Sequence, residues 1–225
     1  VNKNTALRVI MVEELKKKRV HKPAEERQAE ILDAAVLIFA SKGYQVADVQ
    51  TIAEHAGVGK GTVYRHFPTK EELFKQALIR QLDILRCKML RAHDAYSDPL
   101  QQLKAVMSTY FQFFDDHPET IELFVHERAE FGHDETPLYF ARMHEHTDDW
   151  IPMFEAVKAA LPMRDIDVEE MMCLCGEIMH GAVYLSKAIV PSRASHERLE
   201  QVFRFYLHGL VTNASIDEIY QLHNL

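Results

Sequence analysis

Ile52 to Glu72 reads IAEHAGVGKGTVYRHFPTKEE, and its spacing predicts two short helices, a tight turn between them and the capped start of a third. Val49, Ile52, Ala53 and Ala56 recur at i, i+3, i+4 and i+7, so one face of the first helix is buried. Asp48 can cap its N-terminus. Gly57 stands just past its end, where a left-handed residue turns the chain, and Val58 is then placed to plug the turn. A second helix runs from about Lys60 to Phe67, too short to be stable alone. Val63 and Phe67 are its large apolar anchors. At a helical pitch Gly61, Thr62 and Arg65 point away from them, with Tyr64 and His66 on the flanks. Pro68 stops this helix, and Thr69 with Glu72 forms a capping box for the next.

A bracing helix followed by one that displays short polar side chains is helix-turn-helix geometry. Gly61 and Thr62 allow close approach to a groove wall. Tyr64 and His66 can reach phosphates or base edges, and Arg65 can read guanine or neutralise phosphate. The candidate DNA contacts are Gln50, Thr51, Lys60, Gly61, Thr62, Tyr64, Arg65, His66 and Lys70. A phosphate-binding loop would follow a strand and end Gly-Lys-Ser/Thr. Here Gly59-Lys60-Gly61-Thr62 breaks that order and a helix precedes it.

In these residues the chain resembles the TetR/AcrR family of one-component transcriptional regulators. The likeness lies in IAEHAGVGKGTVYRHFPTKEELF (Ile52 to Phe74) and in ILDAAVLIFASKGY (Ile31 to Tyr44), which is similar to the family's first helix. Beyond about residue 90 only the family's general run of helices is visible. The resemblance implies an effector pocket among the middle helices. It also implies a homodimer in which the last two long helices pair with their copies as a four-helix bundle.

The composition narrows the alternatives. The chain has 225 residues, 47% of them hydrophobic, enough for one or two domains with a core. No apolar run approaches bilayer length, and no secretory leader is visible, so a cytoplasmic protein without membrane partners is expected. Three cysteines suit reducing surroundings; Cys173 and Cys175 read as packed core thiols. The net charge of −8 is unevenly spread. Val1 to Lys70 hold 12 Lys+Arg against 8 Asp+Glu, a net +4, and the remainder holds 14 against 26, a net −12. A basic N-terminal piece followed by an acidic C-terminal piece suits a polyanion-binding end.

The expected fold is all-α: an N-terminal three-helix helix-turn-helix head and a C-terminal helical ligand-binding and dimerisation domain. Residues 1–22 form a basic leader, with Lys16, Lys17, Lys18, Arg19 and Lys22 crowded together. It reads either as a phosphate-neutralising arm or as a disordered solubilising tail. Residues 23–70 are the head and 71–225 the body. Pro23, Glu25 and Glu26 open the first helix and Gly43 ends it. Tyr44 and Val46 are expected in the head's core. A long helix from Thr69 to about residue 93 runs from head into body as a lever. Asp98-Pro99 opens a helix to Asp116, and another ends near Gly132. Thr136-Pro137 begins a longer one to about Leu161-Pro162, kinked at Pro152. The dimer helices are expected at 168–190, up to Ile189 and Val190, and at 195–211, with a short turn at Ile216 to Leu222. Gly176, Gly181 and Gly209 suggest close helix approach.

Phe111, Phe114, Phe124, Met143, Trp150, Met179, His180 and Tyr184 are the candidate effector contacts, because flat aromatics and adaptable Met suit an apolar or aromatic ligand. His126, Glu127, Glu130, His133, His144, Glu145, His146, Asp148 and Asp149 are dense enough to raise a divalent metal, but they read first as a solvated acidic face. No His-Glu-x-x-His pattern, nucleophile elbow or Gly-rich cofactor loop is present. No catalytic residue, metal or cofactor is therefore expected. The expected function is a ligand-responsive repressor that binds a palindromic DNA operator as a dimer. A non-specific architectural DNA-binding protein and a metal-dependent helical enzyme are the alternatives.

Overall fold

A computed structural model of the chain describes residues 23–132, 136–188, 194–212 and 216–225, with 186–188 as backbone only. The leader at 1–22, His133, Ile189 and Val190 lie outside the described residues. The described chain is helical, its one extended pairing being an isolated antiparallel bridge between Met163 and Val211.

Three helices build the head: α1 (Ala24–Val46), α2 (Val49–His55) and α3 (Lys60–His66). In α1, Ile31, Leu32, Ala35, Val36 and Phe39 are buried, forming two adjoining stripes at helical spacing. Gly43 interrupts it at φ +77° and ψ 161°, a conformation close to glycine-only, and a final turn then reaches Val46. A Cβ on Gly43 would lie 3.2 Å from Cε1 of His126. Tyr44 packs into the core between Phe39, Phe74 and Phe131. Val46 does not join it: the kink swings the side chain out, 75% exposed, and the next residue, Ala47, is buried in its place.

α4 (Lys70–His93) is the long helix that leaves the head. Thr69 caps it, accepting from the Glu72 amide at 3.0 Å, while the Glu72 carboxylate accepts from Gln76. The body adds α5 (Pro99–Asp116), α6 (Glu119–Phe131), α7 (Leu138–Glu145), α8 (Ile151–Ala160), α9 (Val168–Ala188), α10 (Ser195–Leu210) and α11 (Ile216–Leu222). Asp98 caps α5 by accepting from the amides of Leu100 and Gln101. α5 is the central rod, packed against α4, α8, α9 and α10. It buries Leu100, Leu103, Val106, Met107, Tyr110, Phe111, Phe113 and Phe114.

The segment from Thr136 to Pro162 is not one kinked helix. α7 ends at Glu145, Thr147–Asp149 form a single 3-10 turn, and α8 starts afresh at Ile151. Pro152 lies in the first turn of α8, where its missing N–H costs nothing, rather than inside a helix. Thr147 Oγ1 donates to the carbonyl of His144 at 2.8 Å and so closes the end of α7. The close approach expected at three glycines is seen within this chain at Gly176 alone, whose added Cβ would sit 2.7 Å from Met143 Sδ. At Gly181 and Gly209 such a Cβ would meet nothing within 4 Å among the described residues.

Candidate functional site

The head's third helix, α3, is held from below and bare above. Val63 is fully buried, and Phe67, which caps α3, is buried beside it. The turn before it is a Schellman motif. The Val58 amide donates to the Ala53 carbonyl at 2.9 Å, the Gly57 amide to the Glu54 carbonyl at 3.1 Å, and Gly57 has φ +66°. Asp48 caps α2 by accepting from the Gln50 amide at 2.9 Å. That bond is the leading influence holding its carboxyl below the usual range.

The nine candidate DNA contacts lie on or beside this helix. Gly61, Tyr64 and Arg65 are exposed, Tyr64 by 41%, and Thr62 and His66 are half-buried. A Cβ at Gly61 would meet open space, so nothing bulky stands over this part of the helix. Gln50 is exposed at the start of α2 and bonds Glu54, with half-buried Thr51 next to it. Lys60 Nζ lies 3.4 Å from Asp48 Oδ1. Lys70 Nζ donates to the Gln45 carbonyl at 3.1 Å and sits over the Tyr44 ring. The two lysines are therefore engaged with the head itself, and Thr62, Tyr64 and Arg65 form the free surface.

In the body a cavity of about 790 Å³, its open mouth included, lies between α4, α5, α7, α8 and α9. Leu82, Leu85 and Met89 of α4 form one wall, and Leu103, Val106, Met107 and Tyr110 of α5 another. Met172, Cys175, Gly176 and Met179 line it from α9, a stripe at i, i+3, i+4 and i+7. Met143, Trp150 and Met179 are the candidate effector residues on its lining. The other five lie elsewhere. Phe111 and Phe114 are buried core residues, Phe124 packs on Phe114 and on His180, and Tyr184 is 38% exposed. His180 stacks on Tyr139 at 4.1 Å, and burial pulls its pKa down to about 4. Burial also pushes the Cys175 thiol up to about 12, and that of Cys173 is raised too, in keeping with packed thiols.

The sequence did not point to the cavity's other polar residues, Asp83 and Arg86 on α4 and Tyr139 and Arg142 on α7, and it raised His146, which follows α7, only as a possible metal ligand. Arg86 Nε donates to Asp149 Oδ2 at 2.7 Å, and Arg142 donates to Asp83 and to Glu145. The partners across helices are 59 to 63 residues away in sequence, beyond any local periodicity. The His- and acid-rich segment is dispersed among such contacts. Glu127 accepts from the Leu138 amide, Glu130 from Gln45, and His126 rests on Gly43. Among the described residues no group of three or more His, Cys, Asp or Glu could hold a metal ion, and no helix is long and apolar enough to cross a membrane.

Comparison with known proteins agrees with this geometry. Residues 31–77 match the family model for bacterial regulatory proteins of the tetR family. The transcriptional activator FasR of Mycolicibacterium smegmatis is 36% identical over 93 residues, 41% of this chain and 42% of FasR. The transcriptional repressor KstR2 of Rhodococcus jostii is 30% identical over 145 residues, 64% of this chain and 71% of KstR2. The solved structure of KstR2 from Mycobacterium tuberculosis shares the fold with a TM-score of 0.59 at 21% identity, covering 87% of this chain and 98% of that one. Against FasR and the M. tuberculosis KstR2 sequence the match spans about half of their length. From its helix-turn-helix head to its helical body, the chain belongs to the TetR family of transcriptional regulators.

Proposed function

We propose that this protein is a ligand-responsive repressor that binds a palindromic operator as a homodimer and leaves it when a small apolar or aromatic effector fills the body cavity. The observation that carries the reading is the path of α4. It begins at Lys70, four residues after the reading helix ends, and its Leu82, Leu85, Arg86 and Met89 line the cavity. At 1.5 Å per residue the two ends of that path are roughly 20 Å apart on one rigid rod. A ligand that moves the cavity wall moves the head, with a coupling on the order of 1–3 kcal/mol. Thr62, Tyr64 and Arg65 would meet base edges and phosphates, with Gln50, Thr51, Lys60, Gly61, His66 and Lys70 around them. Two heads would enter major grooves about 34–36 Å apart, or a multiple of that. Pairing through 168–190 and 195–211 is supported by the apolar side chains that α9 and α10 leave exposed, Leu174, Tyr184, Leu185 and Phe205.

The test is binding of the purified protein to sheared genomic DNA at near-physiological salt, followed by anisotropy on the recovered sites. A few palindromic sites, lost in a still-dimeric Thr62→Ala/Tyr64→Ala variant, are the expected result. Uniform binding to all duplexes would point to an architectural protein instead. Among the family relatives one is an activator and one a repressor, so transcription from the recovered promoter fixes the sign: it should rise when the protein is removed.

A further inference from the structure

The cavity is largely apolar, with the Tyr110 hydroxyl of α5 on one side, and its charged groups lie along the wall where α7 meets α4. Two ion pairs cross that wall in register: Arg142 of α7 with Asp83 of α4, and Asp149 of the 3-10 turn with Arg86 of α4. Arg142 also donates through Nη1 to Glu145 at 2.6 Å. Its third nitrogen, Nε, is buried and has no hydrogen-bond partner among the described residues, and the same is true of His146 Nε2. Both residues line the cavity. A guanidinium nitrogen can only donate, so what is missing at Arg142 is an acceptor. Buried donors in native proteins are nearly always satisfied, and an unmet one at a cavity wall points to a group supplied from outside.

The wall's charge sets a further condition. Arg86 and Arg142 face Asp83, Glu145 and Asp149, so the cluster carries one more carboxylate than guanidinium. A further anion cannot simply be added; it has to replace a carboxylate already there. Of the two carboxylates on Arg142, Glu145 is 58% exposed and Asp83 47%, so either regains water when released, but only the release of Asp83 frees α7 from α4.

We propose that the effector carries an acyl oxygen, carbonyl or carboxylate, at one end of an apolar body, and that Arg142 and His146 receive it. This rests on the reading of the cavity as the effector site. A carboxylate takes Arg142 in exchange for Asp83, and that exchange cuts the tie between α7 and α4. A neutral carbonyl accepts from Arg142 Nε and leaves the tie in place. The two sources of the oxygen thus differ in their effect on the head: both bind, but the acid is the stronger inducer.

Trp150 is the chain's single tryptophan and lines the cavity, so its fluorescence reports occupancy. The whole chain of 225 residues is loaded with the neutral dye Nile red, and the dye is displaced with decanoate, methyl decanoate or decylammonium. Decanoate is expected to displace it at concentrations on the order of tenfold below decylammonium, as charge-assisted hydrogen bonds require. Asp83→Asn removes the competitor for Arg142 and should tighten decanoate several-fold without changing methyl decanoate. A merely structural role for Asp83 would weaken both. His146→Phe and Arg142→Gln should each narrow the gap between acid and amine, and His146→Phe keeps the test open should Arg142→Gln not fold. Equal displacement by decanoate and decylammonium, a preference for the amine, or no tightening in Asp83→Asn overturns the proposal and leaves the cavity standing. Failure of Nile red to quench Trp150 removes the cavity reading and the proposal together.

Discussion

Gly176 on α9 passes so close to Met143 on α7 that a methyl group on Gly176 would lie 2.7 Å from the sulfur. The obstacle is near the free end of a flexible side chain, which can swing aside, and the swing takes it into the cavity both residues line. In Gly176→Ala the gain in helix propensity of about 1 kcal/mol offsets the displacement. Thermal unfolding should therefore stay near that of the wild type, while apolar dyes bind several-fold more weakly. A large loss of stability with unchanged dye affinity would show that α9 and α7 cannot adjust at this crossing.

His180 makes stability depend on pH in a predictable direction. Its ring lies among Tyr139, Phe124 and Phe140, and burial lowers its pKa from 6.5 to about 4. Between those values the unfolded chain binds a proton that the folded chain refuses, so stability rises with pH. The contribution is complete above about pH 6.5 and is lost as pH falls toward 4. Melting temperature measured from pH 7 to 4.5 should fall less steeply in His180→Phe than in the wild type. Parallel slopes would place the pH sensitivity elsewhere.

The charge that draws the protein to DNA is expected to reside mostly in the leader. Residues 1–22 carry seven Lys+Arg and two Asp+Glu, whereas 23–70 carry five and six. If the leader neutralises phosphates, its removal should flatten the plot of log affinity against log salt by about 0.9 for each phosphate it had neutralised, roughly three to five in total. The preferred sequence should not change, because phosphates carry no sequence information. An unaltered slope after deletion would mark the leader as a solubilising tail.

Phe205 is 70% exposed and Leu185 51% exposed, on the two helices assigned to the dimer. Phe205→Glu with Leu185→Glu should leave helical content and melting behaviour of the protomer intact, yet halve the mass seen by light scattering and abolish cooperative operator binding. Gly181 and Gly209, open in the single chain, are expected to lie where a partner helix comes near. A double variant that stays dimeric would assign the interface to another face.

Local signals carried most of the fold. Asp98 before Pro99, Thr69 three residues before Glu72 and Gly57 after Ala56 each act within one turn, and each marks a helix boundary in the structure. Pro152 misled for the same reason: a proline read alone cannot distinguish a kink from the first turn of a new helix. The cavity was less legible. Aromatic residues were natural candidates for a ligand site, yet Phe111, Phe114 and Phe124 pack largely on one another and on neighbouring core rings. Its lining from α9 is Met172, Cys175, Gly176 and Met179, adaptable or small groups whose one-sided spacing was the available clue. Its charged wall depends on pairs such as Arg142 with Asp83, which only the folded chain brings together.

The aromatic joint around Tyr44 bears on how such regulators can be recombined. Phe39 and Tyr44 of α1 and Phe74 of α4 close on one another, but Phe131 of α6 completes the cluster, and His126 of the same helix rests on Gly43. The head therefore borrows part of its core from the body. A transplant cut at residue 70 would leave behind Phe74 and Phe131 and expose the rings they cover. An engineer seeking a new sensor for this DNA address would do better to replace only the surface of the reading helix and keep the joint whole.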